Sequence, residues 1–326
     1  MTEEDDLPKI QLDEYDPVEM LKPTYTVMLF GPRGSGKSTM QTYLMYCMRN
    51  KLHFAAAFTP TADTRRHFEE YLPKSLVFPE FDLEAFKRIL KSQHEISDLA
   101  EASISKAKAG VCSNPIELRN FGVIMDDCMF DKKACKSTEM RWMFMNGRHE
   151  NFFHMNCIQY LMDIGPDIRA NIDVVIAFPT QSPAMLERLR ENLLTCFNTN
   201  EELAAVFNSL EPHEALVFDR KALEQKKPYL FFCKATCPLP NFRVCSDFVW
   251  KLYYRHMKRH TSNGDQKILN TLKSAKDKVE DCVIKKPGKK AKSPAVAVVR
   301  TPKAVGGAGY PPQTAALTGV PPLDLF

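Results

Sequence analysis

The sequence predicts an α/β fold, a mainly parallel sheet with helices on both faces. Three observations predict it. Short apolar runs recur at Thr24–Phe30, Phe54–Phe58, Phe121–Met125, Phe153–Tyr160 and Ile172–Phe178. Each has the length of a strand and is nearly free of polar alternation, as strands covered on both faces are. Segments of helical period separate them, which is the βαβ pattern of parallel sheets. Polar and glycine-rich residues gather just after these runs, at the strand ends where open parallel sheets bind ligands.

Taken in order, residues 1–22 form an acidic lead-in, with order expected only over Ile10–Tyr15. The first core strand is Thr24–Phe30, and Met40–Asn50 is the helix that follows. Phe54–Phe58 is closed by Thr59-Pro60. Residues 82–108 carry Leu83, Phe86, Ile89 and Leu90 at helical spacing, as one helix or a pair, and Asn114-Pro115 breaks the pattern. Phe121–Met125 is the third strand, ending at Asp126-Asp127, and Glu139–Met145 is helical. Pro183 stands at a helix start before Met185–Cys196, and Glu201–Leu210 follows. Ala215–Phe218 and Tyr229–Cys233 are strand candidates for a sheet edge. The domain so built spans residues 23–262, and residues 263–326 read as a basic tail without periodicity.

The chain has 326 residues, enough for one large α/β domain with appendages, and a net charge of +4 that hides an asymmetry. Residues 1–20 are strongly acidic, whereas Lys285, Lys286, Lys289, Lys290, Lys292, Arg300 and Lys303 occur in a stretch without an acid. A basic tail suits an anionic partner, nucleic acid first, or a localisation signal. No apolar run approaches the ~20 residues that span a bilayer. The acidic N-terminus is unlike a secretory leader, so an intracellular, non-secreted protein is expected, with its 10 cysteines reduced.

The most informative residues are Gly31, Pro32, Arg33, Gly34, Ser35, Gly36, Lys37, Ser38 and Thr39. They match the phosphate-binding loop G-x-x-x-x-G-K-[ST] and stand between a strand and a helix, as that loop must. The glycines let the backbone turn and aim N–H groups at phosphate oxygens, and the helix N-terminus adds partial positive charge. Lys37 is expected on the β- and γ-phosphates of ATP and the Ser38 hydroxyl on Mg²⁺. Val123-Ile124-Met125-Asp126-Asp127 has the form of an apolar strand ending in two acids, a Walker B strand. Asp126 is assigned to the metal and Asp127 to the base that polarises water; an ordinary capped turn is the plainer reading. Gln159, ending Met155-Asn156-Cys157-Ile158, could contact both γ-phosphate and water, or merely cap a turn.

With Asn146-Gly147-Arg148-His149 and Asp167-Ile168-Arg169-Ala170-Asn171-Ile172-Asp173, these motifs resemble the genome-packaging ATPases of the FtsK/HerA superfamily, the type found in large DNA viruses. The resemblance covers about residues 24–180. It implies a P-loop NTPase core of the ASCE, RecA-like kind and Mg²⁺-dependent ATP hydrolysis coupled to translocation of double-stranded DNA. It also implies a homo-oligomeric ring, usually a hexamer, in which an arginine reaches the neighbour's nucleotide. Capsid or portal-vertex proteins become possible partners, and a host-cell viral factory or the virion the location. Arg148 takes the position of that finger and Arg169 is the alternative; either can instead be a surface arginine. A guanidinium supplied in trans would stabilise charge developing on the transferred phosphoryl group.

His149 is expected to orient its loop and His154 to be structural. Cys233, Cys237 and Cys245, with His256 and His260, match no common zinc module. The aromatic and basic segment Phe248–His260 reads as a helix that packs on the core or touches DNA. Lys132-Lys133 and Ser105–Gly110 are candidates for DNA-gripping loops. A nucleotide or small-molecule kinase would need an arginine-rich lid, which is not evident. A GTPase would need Asn-Lys-x-Asp, which is absent. A non-catalytic scaffold is disfavoured by the intact Lys37, Asp126 and Asp127 set.

Overall fold

The computed structural model describes residues 10–111, 114–128, 137–159 and 165–261. The acidic residues before Ile10, Lys132-Lys133, Tyr160 and the basic tail lie outside them. The chain divides into two compact units after Trp250, and of the second only the continuation of a helix to Thr261 lies among the described residues.

In chain order the elements are β1 (Asp13–Glu14), α1 (Pro17–Met20), β2 (Thr26–Phe30), α2 (Lys37–Met48), β3 (Phe54–Phe58), α3 (Ala62–Tyr71) and β4 (Val77–Phe78). Then come α4 (Leu83–Lys108), β5 (Phe121–Asp126), α5 (Thr138–Asn146), β6 (Phe152–Ile158), α6 (Pro166–Ala170) and β7 (Val174–Ala177). The last are α7 (Pro183–Asn192), α8 (Asn200–Ser209), β8 (Glu214–Asp219), α9 (Arg220–Glu224), β9 (Leu230–Lys234) and α10 (Asp247–Thr261).

Nine strands form one sheet in the order β1-β9-β8-β7-β2-β6-β5-β3-β4. All neighbours are parallel except where β8 meets β7 and β9. Every residue of β2, β3, β5, β6 and β7 is buried. That is the consequence of unbroken apolar runs with helices on both faces. The β2 strand is central, and β6 is inserted between it and β5. This order is the ASCE, RecA-like form of the P-loop NTPase fold.

Several sequence expectations change in detail. Strand β2 starts at Thr26 and its helix begins at Lys37, inside the glycine-rich loop itself. Residues 82–108 are one helix, capped by Asp82, whose carboxylate accepts from the amides of Glu84 and Ala85. The lead-in is more than an appendage: β1 pairs with β9, and Tyr15 is buried edge-on to Phe231, with ring centroids 5.5 Å apart. An acidic stretch can still add a strand, because pairing uses its backbone and only Tyr15 must be apolar.

Two contacts fix the long helix α4. Phe86 packs edge-on to Phe58, which also stacks on Phe78 at 4.9 Å; burying a Phe stabilises by about 1.5–3 kcal/mol. Gln93, fully buried, donates from Nε2 to the carbonyls of Arg119 (2.7 Å) and Glu150 (2.8 Å). It thus ties the segments entering β5 and β6, and with them the 3₁₀ turn Gly147–Glu150 that carries Arg148.

Candidate nucleotide site

Register places the predicted groups along one edge of the sheet. Phe30 lies opposite Ile158 on one side and Ala177 on the other, and Asp126 opposite Cys157. The loop after β2, Gln159 after β6, Asp127 after β5 and Phe178 after β7 therefore emerge together at the carboxyl ends of the strands.

The loop turns through left-handed backbone at Gly34 (φ 79°) and Gly36 (φ 102°), which favours residues without a Cβ. Gly36 precedes α2 without a side-chain cap, so the first-turn amides of a 12-residue helix are left for another acceptor. Lys37 is buried and donates from Nζ to the carbonyls of Gly31 (2.7 Å) and Pro32 (2.8 Å). An ammonium carries three donors, so one remains. Burial pulls its pKa down, while the carboxylates of Asp127 and Asp126 hold it up. Ser38 and Thr39 are exposed on the first turn of α2, and Pro32 and Arg33 are exposed on the loop. The Ser35 hydroxyl is buried without a partner.

Asp126 is buried at the end of β5, with Thr59 Oγ1 3.5 Å from its Oδ2. Burial, and next the charge of Asp127, raise its pKa to about 6, against the opposing pull of Thr64, Lys37 and Thr59. Asp127 adopts φ 51°, a left-handed conformation that Asp tolerates better than most residues, and its N–H donates to Cys157 O at 3.2 Å. Its Oδ2 accepts a hydrogen bond from Gln159 Nε2 at 2.5 Å. Lys37, Asp127 and Gln159 thus converge, and Asp126 stands one residue behind.

Asp126-Asp127 are not directly beside the phosphate-loop strand, because β6 intervenes. Nor are the two arginines at this edge. Arg148 is exposed in the turn that precedes β6, and Arg169 half-buried in the short helix that precedes β7. Seven residues of β6 separate Arg148 from Gln159, a rise of about 23 Å. At that opposite edge the Arg148 charge acts on Asp173, whose Oδ2 accepts from Thr26 N at 2.8 Å.

Sequence reasoning missed three supports. Thr59 is fully buried at the tip of β3 and faces Asp126; a hydroxyl directly after FAAAF, at the ligand end of a parallel strand, is the signal that could have found it. Gln41, one turn into α2, donates to Met125 O at 3.3 Å and links the loop's helix to β5. Phe178 lies against the loop and shows no signal of that role in the sequence. His154 is buried in β6, with Nε2 2.8 Å from Asn156 Nδ2, a structural placement; His149 is exposed. Cys233 is buried in β9, Cys245 is buried in the segment that precedes α10, and Cys237 is exposed.

The residues fit a nucleoside triphosphate and its cation. Uncapped helix amides, the orphaned Ser35 hydroxyl and the spare Lys37 donor are an acceptor-seeking set. Ser38 and Asp126 would hold Mg²⁺. Among the described residues no three His, Cys, Asp or Glu gather for a metal, but Mg²⁺ keeps waters and takes only one or two protein ligands beside phosphate. No helix among them is long and apolar enough to cross a membrane.

No protein-family model matches the chain. An uncharacterized protein, 088R of Invertebrate iridescent virus 3, is 29% identical over 166 residues, 51% of this chain and 58% of that protein. A second, from Invertebrate iridescent virus 6, is 28% identical over 152 residues, 47% and 53% of the two. An uncharacterized protein of Acanthamoeba polyphaga mimivirus is 28% identical over 230 residues, 70% and 78% of the two. The chain spans little more than half the length of the first two. Among solved structures, the genome packaging NTPase of Sulfolobus turreted icosahedral virus 2 with AMP bound is 15% identical. It covers 66% of this chain and all of its own, with a TM-score of 0.46. EssC (ATPases 2 and 3) of Geobacillus thermodenitrificans is 17% identical over 73% of this chain and 44% of its own, with a TM-score of 0.45. By their own descriptions these neighbours are a genome packaging NTPase and an ATPase, and the sequence relatives are uncharacterized proteins of viruses.

Proposed function

We propose that this chain hydrolyses ATP to translocate double-stranded DNA, packaging a viral genome into a capsid, as a ring of FtsK/HerA type. The observation that carries the reading is the meeting of Lys37, Asp127 and Gln159 at one sheet edge, while Arg148 sits at the other.

Lys37 and the loop amides bind the β- and γ-phosphates and neutralise charge as the bond to the leaving ADP breaks. Ser38 and Asp126 would hold Mg²⁺, which would supply further positive charge to the phosphates. Asp127 takes the proton of the attacking water, and Gln159 orients that water through the amide it already directs at Asp127. Arg148 cannot serve its own site from the far end of β6, so it completes the pocket of an adjoining copy. Opposite edges of one sheet then make the contact head-to-tail, which closes a ring when the rotation permits. Arg169 shares that edge and is the alternative finger. The Ser105–Gly110 segment, at the end of α4, remains a candidate grip on DNA, with Lys132-Lys133. The basic tail would add salt-sensitive phosphate contacts.

The test is steady-state phosphate release with and without double-stranded DNA. Turnover should rise with DNA and vanish in Lys37→Ala and Asp127→Asn. Phosphate transfer to a small acceptor without DNA would make the chain a kinase, and ATP binding without turnover would make it a scaffold.

A further inference from the structure

We infer that Phe178 is a positioning residue for the phosphate loop: its ring is the floor on which the loop between Gly31 and Gly36 is shaped. The inference rests on the phosphate-loop reading above and extends it to a residue outside every motif.

Two glycines of the loop face this one side chain. A Cβ at Gly31 would stand 2.8 Å from Phe178 Cβ and 3.3 Å from its Cδ2. A Cβ at Gly36 would stand 3.4 Å from Cε1 and 3.9 Å from Cζ. The ring therefore runs beneath the loop from its first glycine to its last. By contrast, a Cβ at Gly34 would meet nothing within 4 Å. The backbone beneath is fixed as well: Phe178 N–H donates to Phe30 O at 2.8 Å, extending the β2–β7 pairing by one residue.

The same contacts explain part of the loop's spelling. At Gly31, where no unusual φ is required, any side chain would collide with the Phe178 Cβ and with Ser35 Oγ at 2.7 Å. The glycine is there so that the loop can lie on the ring. Phosphate-binding amides are useful only when their directions are fixed before the ligand arrives, since an ångström of misplacement weakens the whole set. Phe178 is 2% exposed, so it cannot touch the nucleotide and acts only through the loop.

The test compares Phe178→Leu with Phe121→Leu, a buried phenylalanine at the opposite edge of the sheet. Thermal melts measure folding, a fluorescent ATP analogue measures binding, and steady-state hydrolysis separates KM from kcat. We expect Phe178→Leu to raise the dissociation constant and KM about ten-fold or more, with kcat nearly unchanged. Phe121→Leu should lose comparable melting temperature and keep wild-type affinity. Phe178→Met, which like leucine is smaller than phenylalanine but keeps its reach toward Gly36, should recover most of the lost affinity. Equal affinities for the two leucine variants would overturn the inference. So would a Phe178→Leu protein that fails to fold while Phe121→Leu folds, because the ring would then serve the core. If wild type binds no nucleotide, the phosphate-loop reading itself fails, a result distinct from either.

Discussion

Gln159 and Asp127, 32 positions apart in the chain, are joined by an amide–carboxylate hydrogen bond at the tips of adjacent strands. The bond sets the direction of a carboxylate that sits on left-handed backbone. It also commits an N–H of Gln159 to Asp127, and its other N–H is left for the phosphate or water.

Gln159→Leu should therefore bind ATP normally and lose about 10²-fold in kcat, the usual cost of one transition-state donor. Gln159→Glu should be at least as slow, because it sets two carboxylates against each other. A nucleotide-binding titration beside steady-state hydrolysis checks both.

Asp126 should exchange stability for activity. Its pKa rises from the usual 3.8 to about 6 on folding, so the unfolded chain gives up this proton first and stability falls as pH climbs from about 4 to 6. Asp126→Asn removes that loss. The variant should be inactive, yet more stable than wild type above pH 6 by up to about 3 kcal/mol, with the advantage fading toward pH 4. Urea melts without Mg²⁺ across that range measure it.

His154 gives the opposite slope. Burial lowers its pKa to about 3, so between pH 6.5 and 3 the unfolded chain binds a proton that the folded chain refuses. Stability should drop in that window by about 1.4 kcal/mol per pH unit from this group. His154→Leu should flatten that part of the profile in denaturant melts from pH 7 to 4.

Arg148→Ala should keep nucleotide affinity and lose hydrolysis by about 10³-fold. Mixed with Asp127→Asn, which retains its own Arg148, it should regain part of the activity, since some interfaces would then combine an intact base with an intact finger. Phosphate release over a series of mixing ratios tests it; normal turnover in Arg148→Ala would move the role to Arg169.

Much of this architecture was legible in the amino acids. The apolar runs placed all five core strands to within a few residues, because a strand buried on both faces must be apolar throughout. The loop Gly31–Thr39 was legible because a backbone that wraps phosphate needs glycines, an amine and a hydroxyl at set spacing. Strand β1 was hidden because edge pairing is made by backbone, and Thr59, Gln41 and Phe178 because each acts on a residue distant in sequence.

The sequence by itself determined which side chains can handle a triphosphate, since that is a matter of residue type and local turn. Only the tertiary structure decided their partners. Strand order put β6 between β2 and β5, and register brought Gln159 to Asp127 and left Arg148 at the far edge. Pairing between strands is a long-range choice, governed by which buried faces fit together, and no local pattern carries that information.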